Sequence, residues 1–490
     1  MHADPVVRAG TQQAEDLAES NTLDVLLIDD NSSSGFVPSD LLLAGGVMPH
    51  NPVRLGDKVL AVTGALDYGF GNFRIQPSSS VEVATQNSRT DSPELEEGNL
   101  TIASFNVLNL FNGDGQGQGF PTSRGADTFS EYERQQAKIV AAIAAMDADI
   151  IGLMELENDG FGPLSSIAQL TEALNRSAGD NRYAYVDAGT PTIGSDAIAS
   201  GLLYRADKVA TVGAAQILTA ENSIRDDNGP LFAFNNRPSL TQEFRFKATG
   251  NTFVVDVNHF KSKGSACREA GEDTLAGNCN LTRTRAAIAL SAWLGSTYED
   301  TPTVVLGDLN AYAKEDPIVY LTDAGFTNTV AASKQDTAYS YTFKGELGTL
   351  DYQLANPAMT ELLVDATIWH INADEIPGFD YNEERKPESW LNTLRYRASD
   401  HDPVLATYRF ALIGDWDGDG DVDMRDSIGL LFALIRGLPV DASFDINGDG
   451  RINTRDVAAM RKLCTRPGCS TGEKPVRRGR ESRLSLWGSR

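Results

Sequence analysis

Hydrophobic segments in the middle of the chain repeatedly end in side chains that can bind a metal ion or move a proton. The side chains at these ends are Asn106, Glu155, His259, Asp308 with Asn310, Asp351, and Asp400 with His401. Carboxylate oxygens are ligands that hard divalent cations prefer. A histidine oriented by a carboxylate can transfer protons near neutral pH. The pattern therefore predicts a metal-assisted hydrolytic site at the edge of a β-sheet.

Alternating strands and helices must position these side chains. Hydrophobic spacing predicts strands at Leu100–Asn106, Ile150–Glu155, Phe253–His259, Thr303–Asp308, Thr349–Ala355 and Val404–Phe410, and helices at Tyr132–Met146 and Thr284–Leu294. Such a mixture over residues 99–410 predicts one α/β or α+β sandwich domain.

Six short motifs in this region occur in a recognisable order. They are Thr101–Phe111, Asp149–Glu155, Asn258–Lys263, Gly307–Asn310, Leu350–Tyr352 and Ser399–Pro403. In this order the region resembles the endonuclease/exonuclease/phosphatase superfamily, and within it the secreted bacterial nucleases. The resemblance implies a four-layer DNase I-like α/β sandwich that hydrolyses phosphodiester bonds, with DNA as the favoured substrate and RNA as the alternative.

The resemblance also implies a metal site that holds Mg²⁺ or Mn²⁺. Glu155 corresponds to the main metal ligand of the family, and Asn106 and Asp400 correspond to residues beside the metal. A bound divalent ion polarises a phosphoryl group and lowers the pKa of water. A plain strand-end role for Asn106 stays open as an alternative.

Five further residues receive catalytic roles from the same resemblance. His401 corresponds to the histidine that activates or stabilises the reacting oxygens, and Asp351 to the aspartate that orients it. Asp308 and Asn310 correspond to the pair that contacts the nucleophile and scissile phosphate, and His259 to a second phosphate-contacting histidine. Whether His401 or Asp308 is the base stays open, as do a capping role for Asp308 and a structural role for His259.

Charge gives a weaker indication of the substrate. The chain has 42 basic and 68 acidic residues and a net charge of −26, which argues mildly against a polyanion binder. Locally, Lys261, Lys263 and Arg205 are predicted to contact substrate phosphates. Solvated surface lysines and arginines are the alternative.

The four cysteines form two close pairs, Cys267 with Cys279 and Cys464 with Cys469. Such pairs favour disulfides and an oxidising compartment over free thiols in the cytosol. No apolar run reaches the roughly 20 residues that a membrane helix needs. We therefore expect a secreted monomer whose signal peptide has been removed or precedes the present start.

The N-terminal residues 1–90 contain short predicted strands with glycine and proline breaks, which resemble part of an OB-like β-barrel, and residues 91–98 are predicted to be a linker. Tyr68, Phe70 and Phe73 could stack on single-stranded nucleic acid. Packing in the barrel core is the favoured alternative for these aromatic side chains.

Residues 412–469 contain two copies of a calcium-binding loop. The side chains or backbone carbonyls predicted to bind Ca²⁺ belong to Asp415, Asp417, Asp419, Asp421, Asp423 and Asp426, and to Asp445, Asn447, Asp449, Arg451, Asn453 and Asp456. With aspartate in the last loop position, the segment resembles an all-α type I dockerin, which implies a cohesin partner. A calcium-folded stability unit without a partner is the alternative. Leu430, Leu431, Leu434, Ile435 and Val457 are the expected core, and residues 470–490 are expected to be a disordered basic tail.

Two other functions stay open as alternatives. A sphingomyelinase-like phosphoesterase for lipid or inositol phosphates is disfavoured because no exposed apolar hairpin is evident in the sequence. A non-catalytic scaffold protein that uses only the dockerin-like segment is disfavoured because Asn106, Glu155, Asp308 and His401 are all present.

Overall fold

The computed structural model describes residues 7–32, 35–267, 275–333, 338–465 and 467–471. The chain divides into two compact units, Met1–Glu96 with Leu100–Tyr408, and Glu97–Asn99 with Arg409–Arg490. The N-terminal residues, which were predicted to form a domain of their own, therefore fall in the same unit as the predicted sandwich. The last part of the predicted basic tail, residues 472–490, lies outside the described residues.

The N-terminal part of the first unit contains α1 (Gln12–Leu23), β1 (Leu27–Ile28), β2 (Lys58–Ala61), β3 (Gly64–Gly69), β4 (Asn72–Pro77) and β5 (Glu82–Ala84). The remainder of the unit contains β6 (Leu100–Leu110), α2 (Phe129–Met146), β7 (Ile150–Glu157), α3 (Ser166–Ala178), β8 (Tyr183–Tyr185), β9 (Ile198–Arg205), β10 (Val209–Leu218), β11 (Arg225–Asp226), β12 (Gly229–Pro230), β13 (Ser239–Phe246), β14 (Thr252–His259), α4 (Asn280–Thr297), β15 (Thr303–Asp308), α5 (Asp316–Asp323), β16 (Thr327–Asn328), α6 (Thr329–Ala332), β17 (Tyr341–Phe343), β18 (Glu346–Gly348), β19 (Asp351–Ala355), α7 (Pro357–Thr360), β20 (Leu363–Ile368) and β21 (Val404–Tyr408).

Two mixed six-stranded sheets form the centre of this unit, in the orders β20-β21-β6-β7-β9-β8 and β10-β13-β14-β15-β19-β16. Helices α2 and α3 share a hydrophobic core with the first sheet, and α4 and α5 share one with the second. The result is a helix–sheet–sheet–helix sandwich, so the α/β fold predicted from the sequence is confirmed.

The two sheets approach closely because small and amide side chains lie between them. A Cβ atom on Gly152 would lie 2.1 Å from Leu306 Cδ1 and 3.1 Å from Val257 Cγ2, so a larger residue would have to displace side chains of the facing sheet. Gln353 Nε2 of the second sheet donates hydrogen bonds to the carbonyl oxygens of Ile102 (2.8 Å) and Val404 (2.9 Å) in the first. These bonds satisfy a buried amide and fix the sheets against each other.

Helix α2 shows why its segment folds locally as predicted. Thr128 Oγ1 accepts a hydrogen bond from the Glu131 amide, and Glu131 in turn accepts one from the Thr128 amide, which forms a capping box. Ile139, Ile143 and Met146 then recur at helical spacing and are buried against the first sheet.

The N-terminal strands do not form the predicted barrel. In the described residues they make a three-stranded sheet, β1-β4-β3, and a separate pair, β2-β5, and neither closes on itself. All four side chains of β2 are exposed, so the strands enclose no barrel interior. Tyr68, Phe70 (97% exposed) and Phe73 also face solvent, so the expectation that they pack in a barrel core is wrong.

The second unit contains α8 (Met424–Arg436) and α9 (Thr454–Met460), and the structure pairs Cys464 with Cys469 in a disulfide beyond α9. Leu430 is buried as expected, together with Val422, Ala433 and Met460. Ile435, which was expected in this core, is instead 74% exposed because it lies on the opposite face of α8. In the part of the chain that the structure describes, no helix is both long and apolar enough to cross a membrane.

Candidate active site

Strand register brings the predicted catalytic side chains together at one edge of the sandwich. In the second sheet His259 is opposite Asp308 across the parallel β14–β15 pair, and Asp308 is opposite Asp351 across the antiparallel β15–β19 pair. In the first sheet β6 and β7 run parallel, so Asn106 and Glu155 lie near the same end. The two groups meet, because Asn106 Nδ2 lies 3.3 Å from Asp308 Oδ2.

Backbone irregularities turn two of these side chains toward the site. Glu155 has a φ of 66° and Asn310 a φ of 49°, a left-handed conformation that residues other than glycine rarely adopt. The register also shifts on both sides of Glu155, against β6 and against β9. A residue held in such a conformation costs about 1–3 kcal/mol, and both strained residues and β-bulges concentrate at functional sites.

Glu155 and Asn106 form the part of the site suited to a metal ion. Glu155 Oε1 accepts a hydrogen bond from Asn106 Nδ2 (3.1 Å), and its Oε2 accepts one from the Asn109 amide (3.0 Å). Burial raises the pKa of Glu155, and the nearby carboxylate of Asp400 raises it further. A nearby cation stabilises the charged form of a buried carboxylate, so these residues fit a divalent ion.

His401 and Asp351 form a buried dyad. His401 Nδ1 lies 2.7 Å from Asp351 Oδ2, which also accepts a hydrogen bond from Ser340 Oγ (2.6 Å). Burial lowers the pKa of His401, but the carboxylates of Asp351, Asp308 and Asp400 outweigh it and raise that pKa well above its usual value. The ring of Tyr341 packs against the imidazole at 4.6 Å.

Asp308 lies between the two histidines. Its Oδ2 is 3.4 Å from His259 Nε2 and 3.9 Å from His401 Nε2, and its Oδ1 accepts a hydrogen bond from the Asn310 amide (2.9 Å). Burial raises the pKa of Asp308 to about 7, whereas burial and the charge of Arg237 lower the pKa of His259 well below its usual value. Neighbouring groups with pKa values pushed apart are typical of acid–base catalysis.

Asp308, Asp351 and His401 also lie close enough together to hold a metal ion by themselves. The short His401–Asp351 hydrogen bond already occupies one atom of each residue. We therefore interpret these three residues as the proton-transfer part of the site and Glu155 with Asn106 as its metal-binding part.

The three basic side chains predicted to bind phosphate do not all lie at the catalytic edge of the sheets. Arg205 lies at the opposite end of β7 from Glu155, because β9 runs antiparallel to β7, and it contacts Asp149 there. Lys263 is paired with buried Glu315. Of the three, only Lys261 lies near the cluster: burial and the charge of Arg237 lower its pKa, and its own charge contributes to the lowered pKa of His259.

Arg237, Arg124 and Asp196 were not identified from the sequence. Arg237 Nη1 donates a hydrogen bond to the carbonyl oxygen of Phe260, the residue after His259 (3.1 Å). Asp196 holds both arginines, with Oδ2 3.1 Å from Arg237 Nε and Oδ1 2.9 Å from Arg124 Nη2. All three lie in loops, where hydrophobic periodicity gives no signal.

The disulfide between Cys267 and Cys279 is confirmed, with a Cα–Cα distance of 5.1 Å. Cys279 directly precedes α4, and Lys261 and Lys263 lie in the segment that connects β14 to this disulfide.

The two calcium-type loops repeat the same hydrogen-bond pattern. Asp415 Oδ2 accepts from the Gly420 amide (3.0 Å), as Asp445 Oδ2 does from Gly450 (2.7 Å). The last aspartate of each loop also accepts a backbone bond from the third loop residue at 3.2 Å. Within the first loop, Asp415, Asp417 and Asp419 lie close enough to share an ion, as do Asp421, Asp423 and Asp426.

Comparison with protein families agrees with this geometry. The model of the family described as Endonuclease/Exonuclease/phosphatase matches residues 103–401. This range contains every residue of the cluster.

Several solved structures resemble this chain. Mannosyl-6-phosphatase Bt3783 of Bacteroides thetaiotaomicron VPI-5482 is 16% identical, with 64% of this chain and 100% of that chain covered and a TM-score of 0.42. D. rerio TDP2, complexed with a single strand DNA product, is 15% identical, with 64% and 99% covered and a TM-score of 0.39. The human Nocturnin catalytic domain is 14% identical, with 65% and 97% covered and a TM-score of 0.39.

A curated relative matches a short stretch of the chain. The long isoform of ulvan lyase from Glaciecola sp. (strain KUL10) is 38% identical over 60 residues, which are 12% of this chain. The match spans only 6% of that relative.

Proposed function

The chain belongs to the Endonuclease/Exonuclease/phosphatase family, and we propose that its first unit is an extracellular nuclease that uses Mg²⁺ or Mn²⁺ to hydrolyse phosphodiester bonds in DNA. One observation carries the proposal: the His401–Asp351 dyad, Asp308 and His259 converge with Glu155 and Asn106 at a single sheet edge. The two disulfides support the extracellular location.

The proposed mechanism divides the work among these residues. A divalent cation held by Glu155 and Asn106 would polarise the phosphoryl group and make bound water more acidic. Asp308, with a pKa of about 7, is suited to accept a proton from the attacking water. His401, kept protonated by Asp351, stabilises the charge that develops on the phosphoryl oxygens. His259 stays neutral and contacts the phosphate through Nε2.

Basic side chains beside the cluster support a phosphate-rich substrate. Arg237, Arg124 and Lys261 act on the pKa of His259, so their positive charges lie near the scissile position. Positive side chains of this kind bind the nucleic-acid backbone and position it.

One observation favours a second candidate, a phosphoesterase that acts on lipid headgroups. The hairpin of β3 and β4 exposes Leu66, Tyr68, Phe70 and Phe73, although the sequence had given no indication of an apolar hairpin. Exposed apolar patches are typical of binding surfaces. The assay for the proposed function therefore includes a lipid substrate.

The assay incubates the purified protein with plasmid DNA, RNA and sphingomyelin vesicles, in buffer containing Mg²⁺ or Mn²⁺, with and without EDTA. We expect cleavage of DNA that stops in EDTA and returns when excess Mg²⁺ is added. Hydrolysis of sphingomyelin alone would replace the nuclease proposal with the lipid candidate, and metal-independent DNA cleavage would contradict the mechanism.

For the second unit we propose that each loop binds one Ca²⁺ and that the folded unit docks a cohesin. Burial raises the pKa of Asp415 to about 6, and the nearby carboxylate of Asp426 raises it further. The carboxylates of the loop therefore repel one another. A cation relieves that repulsion, and its binding energy then contributes to folding. Ile428, Phe432 and Ile435 form an exposed apolar stripe along α8 that suits a protein partner.

The calcium proposal predicts that residues 412–469 become helical only when Ca²⁺ is present, because so short a segment buries little apolar surface. Circular dichroism of this fragment should show helix with Ca²⁺ and its loss in EDTA. A fragment with Asp415→Asn and Asp445→Asn should need much more Ca²⁺ to fold. Equal helicity of the wild-type fragment in EDTA would contradict the proposal.

A further inference from the structure

A cleft of about 510 Å³ opens beside the catalytic cluster. Its walls come from residues 194–196, which precede β9, from residues 219–221, which follow β10, and from residues 232–238, which precede β13. The volume lies in the range of small-molecule binding sites. None of the catalytic roles proposed above uses this cleft.

Strand register places the cleft at the catalytic edge of both sheets. β9 begins at Ile198, opposite Glu157, so residues 194–196 lie beside the end of the strand that carries Glu155. β13 pairs antiparallel with β14, with Leu240 opposite Val257, so residues 232–238 lie beside the end of the strand that carries His259. A substrate bound at the cluster can therefore extend directly into the cleft.

Arg237 forms the boundary between the cluster and the cleft. It lines the cleft, and its guanidinium contacts both Asp196 and the carbonyl oxygen of Phe260. Phe260 directly follows His259, which is paired with Asp308 across β14 and β15, so this hydrogen bond places the guanidinium beside the catalytic strand ends. A phosphate held between His259 and Arg237 would leave the adjoining nucleoside at the mouth of the cleft.

Asn236 is a cleft residue whose polar atoms lack partners. Only 6% of the residue is exposed, and neither Oδ1 nor Nδ2 has a hydrogen-bond partner among the described residues. A buried amide without a partner is unfavourable, and such groups usually have a reason in binding or catalysis. Both amide atoms are buried, so the Asn236 side chain has to rotate toward the cleft to meet a ligand, which would then supply both a donor and an acceptor.

Phe234 supplies an apolar face at the same cleft. Its side chain is 70% exposed although it lies two residues from buried Phe232 and Asn236. An exposed phenylalanine beside a phosphate site is suited to stack on a planar ring.

We infer that this cleft is a nucleobase subsite for the nucleotide next to the scissile phosphate, and that it prefers adenine. A nucleobase has a flat apolar face, which can stack on Phe234. Its edge carries hydrogen-bond donors and acceptors, which can pair with the amide of Asn236. Asparagine pairs with adenine through both amide atoms, which accept from N6 and donate to N7. The inference rests on the proposed nuclease function and specifies the part of the substrate that the enzyme recognises.

The first test measures cleavage of dinucleoside phosphates in which one position carries adenine, guanine, cytosine, thymine or no base. The wild-type protein should show the lowest KM with adenine on one side of the phosphate. Asn236→Leu should raise that KM roughly tenfold and Phe234→Ala by a similar factor, since an asparagine–adenine pair and a stacked base each contribute about that much discrimination. Neither variant should change cleavage of the abasic substrate.

The control is Asn251→Leu, at an exposed position in the turn between β13 and β14, which lies at the opposite end of these strands from His259 and does not line the cleft. It should leave the adenine preference unchanged. Asn236→Leu should not lower the melting temperature, because its amide makes no hydrogen bond in the described structure. An unstable Asn236→Leu protein would indicate that the residue has only a structural role and would overturn its part in the subsite.

A second test does not depend on catalysis. Isothermal titration of the His401→Ala protein should show that 2′-deoxyadenosine 5′-monophosphate binds at least tenfold more tightly than 2-deoxyribose 5-phosphate, and that Phe234→Ala removes most of the difference. Equal affinities, or equal KM values for all dinucleoside phosphates, would overturn the subsite while leaving the nuclease proposal intact. Absence of any dinucleotide cleavage would count against the nuclease proposal, and the titration would still decide the subsite.

Discussion

Replacing His401 or Glu155 with alanine should lower kcat for DNA cleavage by about a hundredfold or more while the protein stays folded. Loss of a positioned acid–base group typically costs roughly 10²–10⁴ in rate. His401 Nδ1 is fixed 2.7 Å from Asp351, and its Nε2 points toward Asp308, so alanine removes the only imidazolium at that position. Glu155→Ala removes the carboxylate that Asn106 and Asn109 orient.

These variants are measured by steady-state cleavage of plasmid DNA in Mg²⁺, with circular dichroism to verify folding. His50→Ala is the matched control, since His50 is exposed and lies outside the cluster. The Glu155→Ala enzyme should recover part of its activity at high Mg²⁺ concentration, whereas His401→Ala should not. A folded His401→Ala enzyme with near-normal kcat would show that the dyad does not stabilise the charge that develops on the phosphoryl oxygens.

The catalytic cluster could be predicted from sequence because its members lie at or close to the boundaries of apolar segments that form buried strands: His259 and Asp308 end β14 and β15, Asp351 begins β19, and His401 precedes β21. In the sequence a buried strand is a continuous apolar run, so a polar residue at its boundary indicates a candidate site residue. What the pattern does not contain is strand direction. Arg205 also ends a strand, but β9 runs antiparallel to β7, so this arginine lies at the far edge beside Asp149.

The positions of the loop residues and the closure of the N-terminal strands could not be predicted from the sequence pattern, for a different reason. Arg237 and Asn236 acquire their places from the pairing of β13 with β14, a contact between segments that local periodicity does not encode. Closure of the N-terminal strands depends likewise on which strands pair. The sequence contains strands of suitable length, but the register leaves Tyr68 and Phe70 exposed instead of enclosing them.

The N-terminal segment contributes instead to the support of the catalytic histidine. Arg54 Nε lies 2.8 Å from Glu375 Oε1 as an ion pair, Arg54 Nη2 donates to the His370 carbonyl oxygen, and Arg89 makes a two-point contact with Glu375. The side chains of Arg54 and Glu375 are almost fully buried. Between these contacts lies Asn372.

Asn372 connects this buried ion pair to the active site. Its Nδ2 donates a hydrogen bond to the His401 carbonyl oxygen (2.6 Å), and its backbone amide donates to Asp402 (2.7 Å). The turn from His370 to Glu375 is thus held on one side by Arg54 and Arg89 and on the other by the backbone around His401. Stability of the N-terminal contact and geometry of the dyad should therefore change together.

Arg54→Met should accordingly lower the free energy of unfolding of the first unit by about 3–5 kcal/mol, because breaking a buried ion pair from one side leaves an uncompensated charge. Urea denaturation measures this loss, and kcat should also fall at temperatures where the variant is still folded. Arg74→Met is the matched control, since Arg74 pairs with Asp29 and Asp67 on the solvent-exposed sheet of the same segment and should leave both quantities unchanged. If the Arg54→Met and Arg74→Met variants have the same stability and activity, the N-terminal segment does not support the catalytic site. If Arg54→Met alone is impaired, residues 35–90 are part of the catalytic unit and cannot be removed from it as a separate domain.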